Sequence, residues 1–337
     1  MMTTTHKVIV LAAMGTLLTA CERPPIETEQ SGYRGTAMVD VSNPRAPEAE
    51  QGYPAALPAA PASGPKAGEV YQNVQVLGDL SVAQFTRLMT SMTAWVSPEQ
   101  GCNYCHNPAN LASDDVYTKV VSRRMIEMTQ HINESWSDHV GGNGVNCYTC
   151  HRGNNVPEYI WFSEGMSAFG NLNFAGWRDG QNMPNAMVGY TSLPSDAYTD
   201  FLTKTEGNAP IRLASAEAFS GPELGLSIKD AEYTYGLMTS WSQSLGVNCT
   251  FCHNTRAFQN WEQSTPQRIT AHHGLNMVRD LNANYLIPLG PEYPENRLGE
   301  ELGDAPKAYC ATCHQGVNKP LGGADAVSAY PSLGAAP

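Results

Sequence analysis

A chain of 337 residues carries 32 acidic against 20 basic side chains, a formal charge of -12. That balance excludes nucleic acid as a natural partner, because phosphate binding needs clustered Lys and Arg, and it favours a basic protein instead. Only 15% of residues are charged, and 30 Gly and 23 Pro are spread along the chain. Such a composition predicts irregular backbone around a limited set of helices, with something besides side chains filling the core.

The chain opens with "MMTTTHKVIVLAAMGTLLTAC": a polar start with Lys7, an apolar run from Val8 to Leu18, then small residues. This is an export pattern, and the run is too short for a bilayer span of ~20 residues. Residues 1–20 are expected to be a signal peptide or a retained membrane anchor. Leu18-Thr19-Ala20-Cys21 has the form of a lipoprotein cleavage box, with Cys21 as the lipidated residue. Either outcome places the rest of the chain outside the cytoplasm. Residues 21–70, rich in Pro, Ala and Glu and without helical or strand period, read as a lipid-anchored extended arm lying over another protein.

The first predicted helix is "LSVAQFTRLMTSMTAW" (80–95). Ser81 with Gln84 three positions on forms a cap, and Phe85, Leu88, Met89, Met92 and Trp95 share one apolar face. The pattern returns as "LSIKDAEYTYGLMTSW" (226–241), with Ser227 and Asp230 at the cap positions. Further helices are predicted from "VYTKVVSRRMIEMTQHINESW" and "PQRITAHHGLNMVRDLNANYL". The plan is two similar halves, 71–155 and 225–320, each with two helix, turn and cysteine-motif units. Residues 156–224, with Trp161, Phe162, Phe169, Phe174 and Trp177, are expected to connect them as short strands or loops, and 321–337 to form a flexible tail.

Each predicted helix precedes the same pentapeptide. The pairs Cys102/Cys105, Cys147/Cys150, Cys249/Cys252 and Cys310/Cys313 are followed at once by His106, His151, His253 and His314, and apart from Cys21 no cysteine is left over. Paired cysteines in an exported protein suggest disulfides by default, but disulfides do not account for the histidines. Zinc ribbons need no His after every pair, and a thioredoxin-type motif occurs once. Two thiols three positions apart, on a turn entering a helix, can add to the two vinyl groups of one haem, with the adjacent imidazole beneath the iron. The motifs therefore predict four covalently bound haem c groups.

Low-spin haem iron takes a second axial ligand, and a Met thioether raises its potential. Met89 lies 17 positions before His106 and Met238 lies 15 before His253, each in the same "LMTS" setting, so a helix doubling back would bring each sulfur to the opposite haem face. For the second haem Met125 and Met128 lie near one helix face, and spacing does not choose between them. For the fourth, Met277 stands at the repeat-equivalent place, and spacing favours it over the lone His139. His131, His272 and His273 have no strong claim.

The lipoprotein-like start, the four motifs with long and short gaps in this order, the "LMT" helices and "MVRDLNANYL" before the last motif resemble one family: the tetrahaem cytochrome subunit of the purple-bacterial photosynthetic reaction centre. The likeness spans most of residues 70–320. It implies a mainly α multihaem cytochrome c fold with two-fold pseudosymmetry and four haems in a nearly linear row. It implies Met89, Met125 and Met238 as sixth ligands opposite His106, His151 and His253, and His139 opposite His314, which overrules the spacing preference for Met277. It also implies an electron-transfer subunit, not an enzyme, resting on the L and M subunits at the periplasmic face of the inner (photosynthetic) membrane. A soluble periplasmic cytochrome c or high-potential iron-sulfur protein would supply electrons, and the photo-oxidised bacteriochlorophyll pair, nearest the haem on His253, would receive them. Two other readings fit less well. A periplasmic multihaem reductase needs an open iron position, yet a sixth ligand is available for every haem. A free tetrahaem shuttle with bis-His haems needs four further His, and only five lie outside the motifs, one of them in the signal.

Overall fold

The computed structural model describes residues 27–30, 39–42, 52–164, 186–194, 196–213 and 228–334. The export signal, Cys21, Phe169, Phe174, Trp177 and Ser227 lie outside the described residues. Helix α1 (Val82–Val96) starts where its cap predicts. Ser81 Oγ accepts from the Gln84 N–H at 3.1 Å and Gln84 Oε1 accepts from the Ser81 N–H at 3.2 Å, satisfying two of the donors that a helix start leaves orphaned. Next come α2 (Tyr117–Ser135), the single turn α3 (Ser137–Val140) and α4 (Cys147–His151). The second half has α5 (Ile228–Leu245), α6 (Pro266–Leu281), which runs on through a π turn to Leu286, and α7 (Cys310–His314). An antiparallel pair, β1 (Glu27–Gln30) and β2 (Val39–Ser42), precedes them. The chain is mainly α, and among the described residues no helix is long and apolar enough to cross a membrane.

The halves repeat hydrogen bonds as well as sequence. The Gly153 N–H donates to the Trp95 carbonyl at 2.9 Å, and the Gly316 N–H donates to the Ser244 carbonyl, also at 2.9 Å. Trp95 and Ser244 coincide when the two "LMTS" segments are aligned. Likewise Thr118 Oγ1 donates to the Tyr104 carbonyl, and Thr265 Oγ1 to the Phe251 carbonyl. Each Met-bearing helix is thus tied to the second motif of its half, and each first motif to the helix that follows it. Close approach is needed at the first of these joints. Gly246 has φ +65°, and a Cβ there would lie 2.0 Å from the Gly316 carbonyl oxygen. Gly246→Ala is expected to destabilise the protein by ~2–3 kcal/mol, from the left-handed backbone and the overlap together, read as a lowered thermal midpoint.

Three segments make contacts that their composition does not announce. The tail is folded, not flexible, as far as it is described. Ala326, Tyr330 and Leu333 are buried, and Asn146, Gln130 and Asn133 donate to the carbonyls of Ala326, Ser332 and Leu333. Side-chain amides supply the backbone partners that an irregular segment lacks. The described end of the arm, expected to lie over another protein, packs on this chain. Ser81 Oγ donates to the Pro61 carbonyl at 2.6 Å, and Arg87 donates to the carbonyls of Leu57 and Pro58. The connecting segment supplies core: Trp161, Val188, Ala197, Tyr198, Phe201 and Leu202 form the buried cluster beneath α5 and α6 with Leu237, Leu275 and Val278. In keeping with the expected short strands or loops, its described residues hold one bridge (Trp161 with Lys307) and two short helical turns (Ala186–Val188 and Thr199–Leu202).

Candidate haem centres

The motifs fall into two geometric kinds. The second and fourth are single α turns, α4 and α7. In each, Thr149 or Thr312 Oγ1 accepts from the backbone N–H at the N-cap, and Arg152 or Gln315 closes the turn with φ near +50°. The first and third are 3-10 turns, Gly101–Tyr104 and Cys249–Phe251, in which the His N–H donates to the first Cys carbonyl at 3.0 Å. Both kinds wind the chain tightly enough to bring two thiols to one edge and the imidazole beside them. Cys150 Sγ and Cys313 Sγ approach to 2.7 Å, so the second and fourth motifs meet between the halves. Burial pushes the thiols of Cys147 and Cys310 up to about 12 and that of Cys252 to about 11, keeping them neutral in apolar surroundings.

The motif histidines share one further feature. Nδ1 of His106 faces the Leu111 carbonyl at 3.1 Å and Nδ1 of His253 faces the Phe258 carbonyl at 2.9 Å, each five residues on. Nδ1 of His151 faces Asn154 at 2.9 Å and Nδ1 of His314 faces Val317 at 3.0 Å, each three residues on. A carbonyl only accepts, so Nδ1 carries the proton and Nε2 is left with its lone pair, the arrangement that orients a metal-ligating imidazole. Burial pushes His314 down to about 4 and lowers His151 and His253 too, which keeps these rings in the neutral, ligating form.

His139 on α3 has the same signature: its Nδ1 faces the Thr270 carbonyl at 3.0 Å, and burial lowers its pKa. Its ring centre lies 6.0 Å from that of His314, at 63°. Two metal–imidazole bonds of ~2 Å each, plus the half-widths of the rings, span about that distance. Space for the ring comes from Gly274 in α6, where a Cβ would sit 2.5 Å from His139 Cε1. Met277 packs with Ile132, Val145 and Leu281, and Met128 joins the same cluster, whereas Met125 belongs to none of the apolar clusters among the described residues. Met89 and Met238 are half-buried on α1 and α5 and also pack against apolar clusters, Met89 with Leu88 and Trp95 and Met238 with Leu237 and Tyr198, so cluster membership alone does not separate ligand from core methionine. His131 uses both ring nitrogens, Nε2 with Asp280 at 2.6 Å and Nδ1 with Ser135, and serves to join α2 to α6. The donor set and the space at Gly274 fit haem c. Gly274 itself escaped sequence reasoning, although a glycine inside a helical pattern was the available signal.

The profile of the photosynthetic reaction centre cytochrome c subunit family matches residues 22–334. The chain belongs to that family. The reaction centre cytochrome c subunit of Rubrivivax gelatinosus is 50% identical over 97% of this chain and 89% of its own length. That of Thermochromatium tepidum is 51% identical over 97% of this chain and 79% of its own. That of Roseobacter denitrificans is 46% identical over 90% and 84%. As a reaction centre cytochrome c subunit, the chain is an electron-transfer component rather than an enzyme, and it carries covalently bound haem c. It associates with the reaction centre of the photosynthetic membrane.

Proposed function

We propose that this cytochrome subunit holds four haem c groups and rests on the L and M subunits at the periplasmic face, anchored by lipid on Cys21 or by an uncleaved N-terminal segment. Haem iron, when bound, takes up and releases single electrons, here from a soluble periplasmic cytochrome c or high-potential iron-sulfur protein towards the photo-oxidised bacteriochlorophyll pair. The chain's residues set position and potential. Each Cys pair fixes one macrocycle edge, and His106, His151, His253 and His314 offer Nε2 on the proximal side. Met89, Met125 and Met238 offer sulfur for three sixth positions, which raises those potentials relative to imidazole. His139 offers the fourth, which gives that site the lower-potential ligand set. The observation that carries the reading is the set of five imidazoles, each with Nδ1 committed to a backbone carbonyl and Nε2 left for a metal. His131, with both nitrogens engaged, shows the contrasting structural use.

A sixth ligand at every site leaves no open iron, so the reduced native protein is expected to bind no carbon monoxide. His139→Ala is expected to bind one molecule per chain and Met277→Leu none. Binding in Met277→Leu but not in His139→Ala would reverse the assignment. The relay itself is tested in membranes: after a flash, haem absorbance is expected to bleach within the lifetime of the oxidised chlorophyll pair.

A further inference from the structure

We infer that two buried tyrosines, Tyr330 and Tyr198, are matched positioning residues for the axial methionines of the first and third haems. The inference rests on the reading of Met89 and Met238 as those ligands. Neither tyrosine belongs to the repeated units: Tyr330 comes from the C-terminal tail and Tyr198 from the connecting segment. Yet Tyr330 Oη bonds Ser91 Oγ at 2.7 Å, and Tyr198 Oη bonds Ser240 Oγ. Ser91 and Ser240 are the same position of the "LMTS" repeat, two residues past Met89 and Met238. All four polar partners are almost fully buried: Tyr330 and Ser91 at 3% exposure, Ser240 at 2% and Tyr198 at 0%. Each ring also packs on a buried tryptophan, Tyr330 on Trp95 at 4.8 Å between centres and Tyr198 on Trp161 at 5.2 Å.

The direction of the bond gives it a function. Residues two apart on a helix point ~200° from each other, so a contact at the serine braces the helix from the side opposite its methionine. Breaking a buried hydroxyl pair leaves an unsatisfied group, so rotation or sliding of the helix is resisted more strongly than by apolar packing alone. In the first half the donors can be assigned. Ser91 Oγ donates to the Arg87 carbonyl at 3.0 Å, so the Tyr330 hydroxyl donates to Ser91 Oγ and itself accepts the Leu57 N–H at 3.1 Å. Arg87 caps the arrangement, with its guanidinium 4.0 Å from the Tyr330 ring centre and bonds to the carbonyls of Leu57, Pro58 and Ala329. The second half has Gly236 at the matching place, where a Cβ would already lie 3.4 Å from Ala197 Cβ, and close packing of the connecting segment takes over that role. Two unrelated segments reach the same atom of the same repeat by different routes. General core packing would not require that coincidence.

The test removes the hydroxyls and keeps the rings. In the oxidised holoprotein, Tyr330→Phe is expected to raise the affinity of imidazole for one haem about fivefold, the equivalent of one net hydrogen bond lost from the state with Met bound. Tyr198→Phe should do the same at a different haem, with a matching loss of the far-red band of sulfur-ligated ferric haem. Ser91→Ala should reproduce Tyr330→Phe, and the double variant should be no worse than either alone. Met89→Ala and Met238→Ala identify the haem concerned in each case. Unchanged imidazole affinities and far-red bands in both Phe variants would overturn the inference while the ligand reading stood. If Met89→Ala and Met238→Ala also left every haem unchanged, the ligand reading itself would fall.

Discussion

Deleting residues 325–337 is expected to destabilise the first half by ~4–6 kcal/mol. The deletion removes Leu333 and Tyr330, 0% and 3% exposed, from the cluster built on Leu77, Leu88, Trp95, Ile126 and Cys147. Losing a buried Leu costs ~2–3 kcal/mol and losing a buried aromatic ring ~3–5 kcal/mol, with partial relaxation of the site taken off the sum. The amides of Asn133, Asn146 and Gln130 would also lose their carbonyl partners, and water entering the gap would satisfy them only in part. Denaturant unfolding of the full and shortened holoproteins measures the difference. A change below ~1 kcal/mol would mean that the tail is an ornament on a core complete without it.

Gly274→Ala is expected to push His139 off its place opposite His314. In an ordinary helix interior this change would stabilise by ~1 kcal/mol, because alanine is the better helix former. Here the new Cβ would lie 2.5 Å from His139 Cε1, 2.8 Å from Nδ1 and 3.0 Å from Nε2, so overlap decides the sign. The imidazole must leave the Thr270 carbonyl, and the net effect is a loss of ~1–3 kcal/mol together with one carbon monoxide bound per chain in the reduced protein. A variant that melts higher and binds no carbon monoxide would show that this ring is not the ligand of the fourth haem.

The haem-attachment motifs were fully legible in the sequence, because Cys-x-x-Cys-His is a local pattern whose chemistry is set by spacing within one turn. The helices were legible for a similar reason. The Ser81/Gln84 cap and the apolar stripe of α1 are both local, and the "LMTS" repeat marked the two Met-bearing elements. The choice between Met277 and His139 was not local. Spacing favoured Met277, whereas α3 carries His139 to within 6.0 Å of His314, an approach that no local pattern announces. The tail was misjudged because its composition resembles that of a loop. Its packing depends on partners far off in the chain, such as Asn146 for Ala326, 180 positions away, and Arg87 for Ala329, 242 positions away.

What the sequence determined by itself was therefore the covalent chemistry: which thiols take a macrocycle, which imidazoles follow them, and how often. These depend on neighbours within five residues, and no fold can change that spacing. The tertiary structure decided which distant residues meet, bringing His139 within 6.0 Å of His314. Gly274 makes room for His139, and Tyr198 and Tyr330 reach matching serines from unmatched segments. Such contacts join residues far apart in the chain, and only packing brings them together.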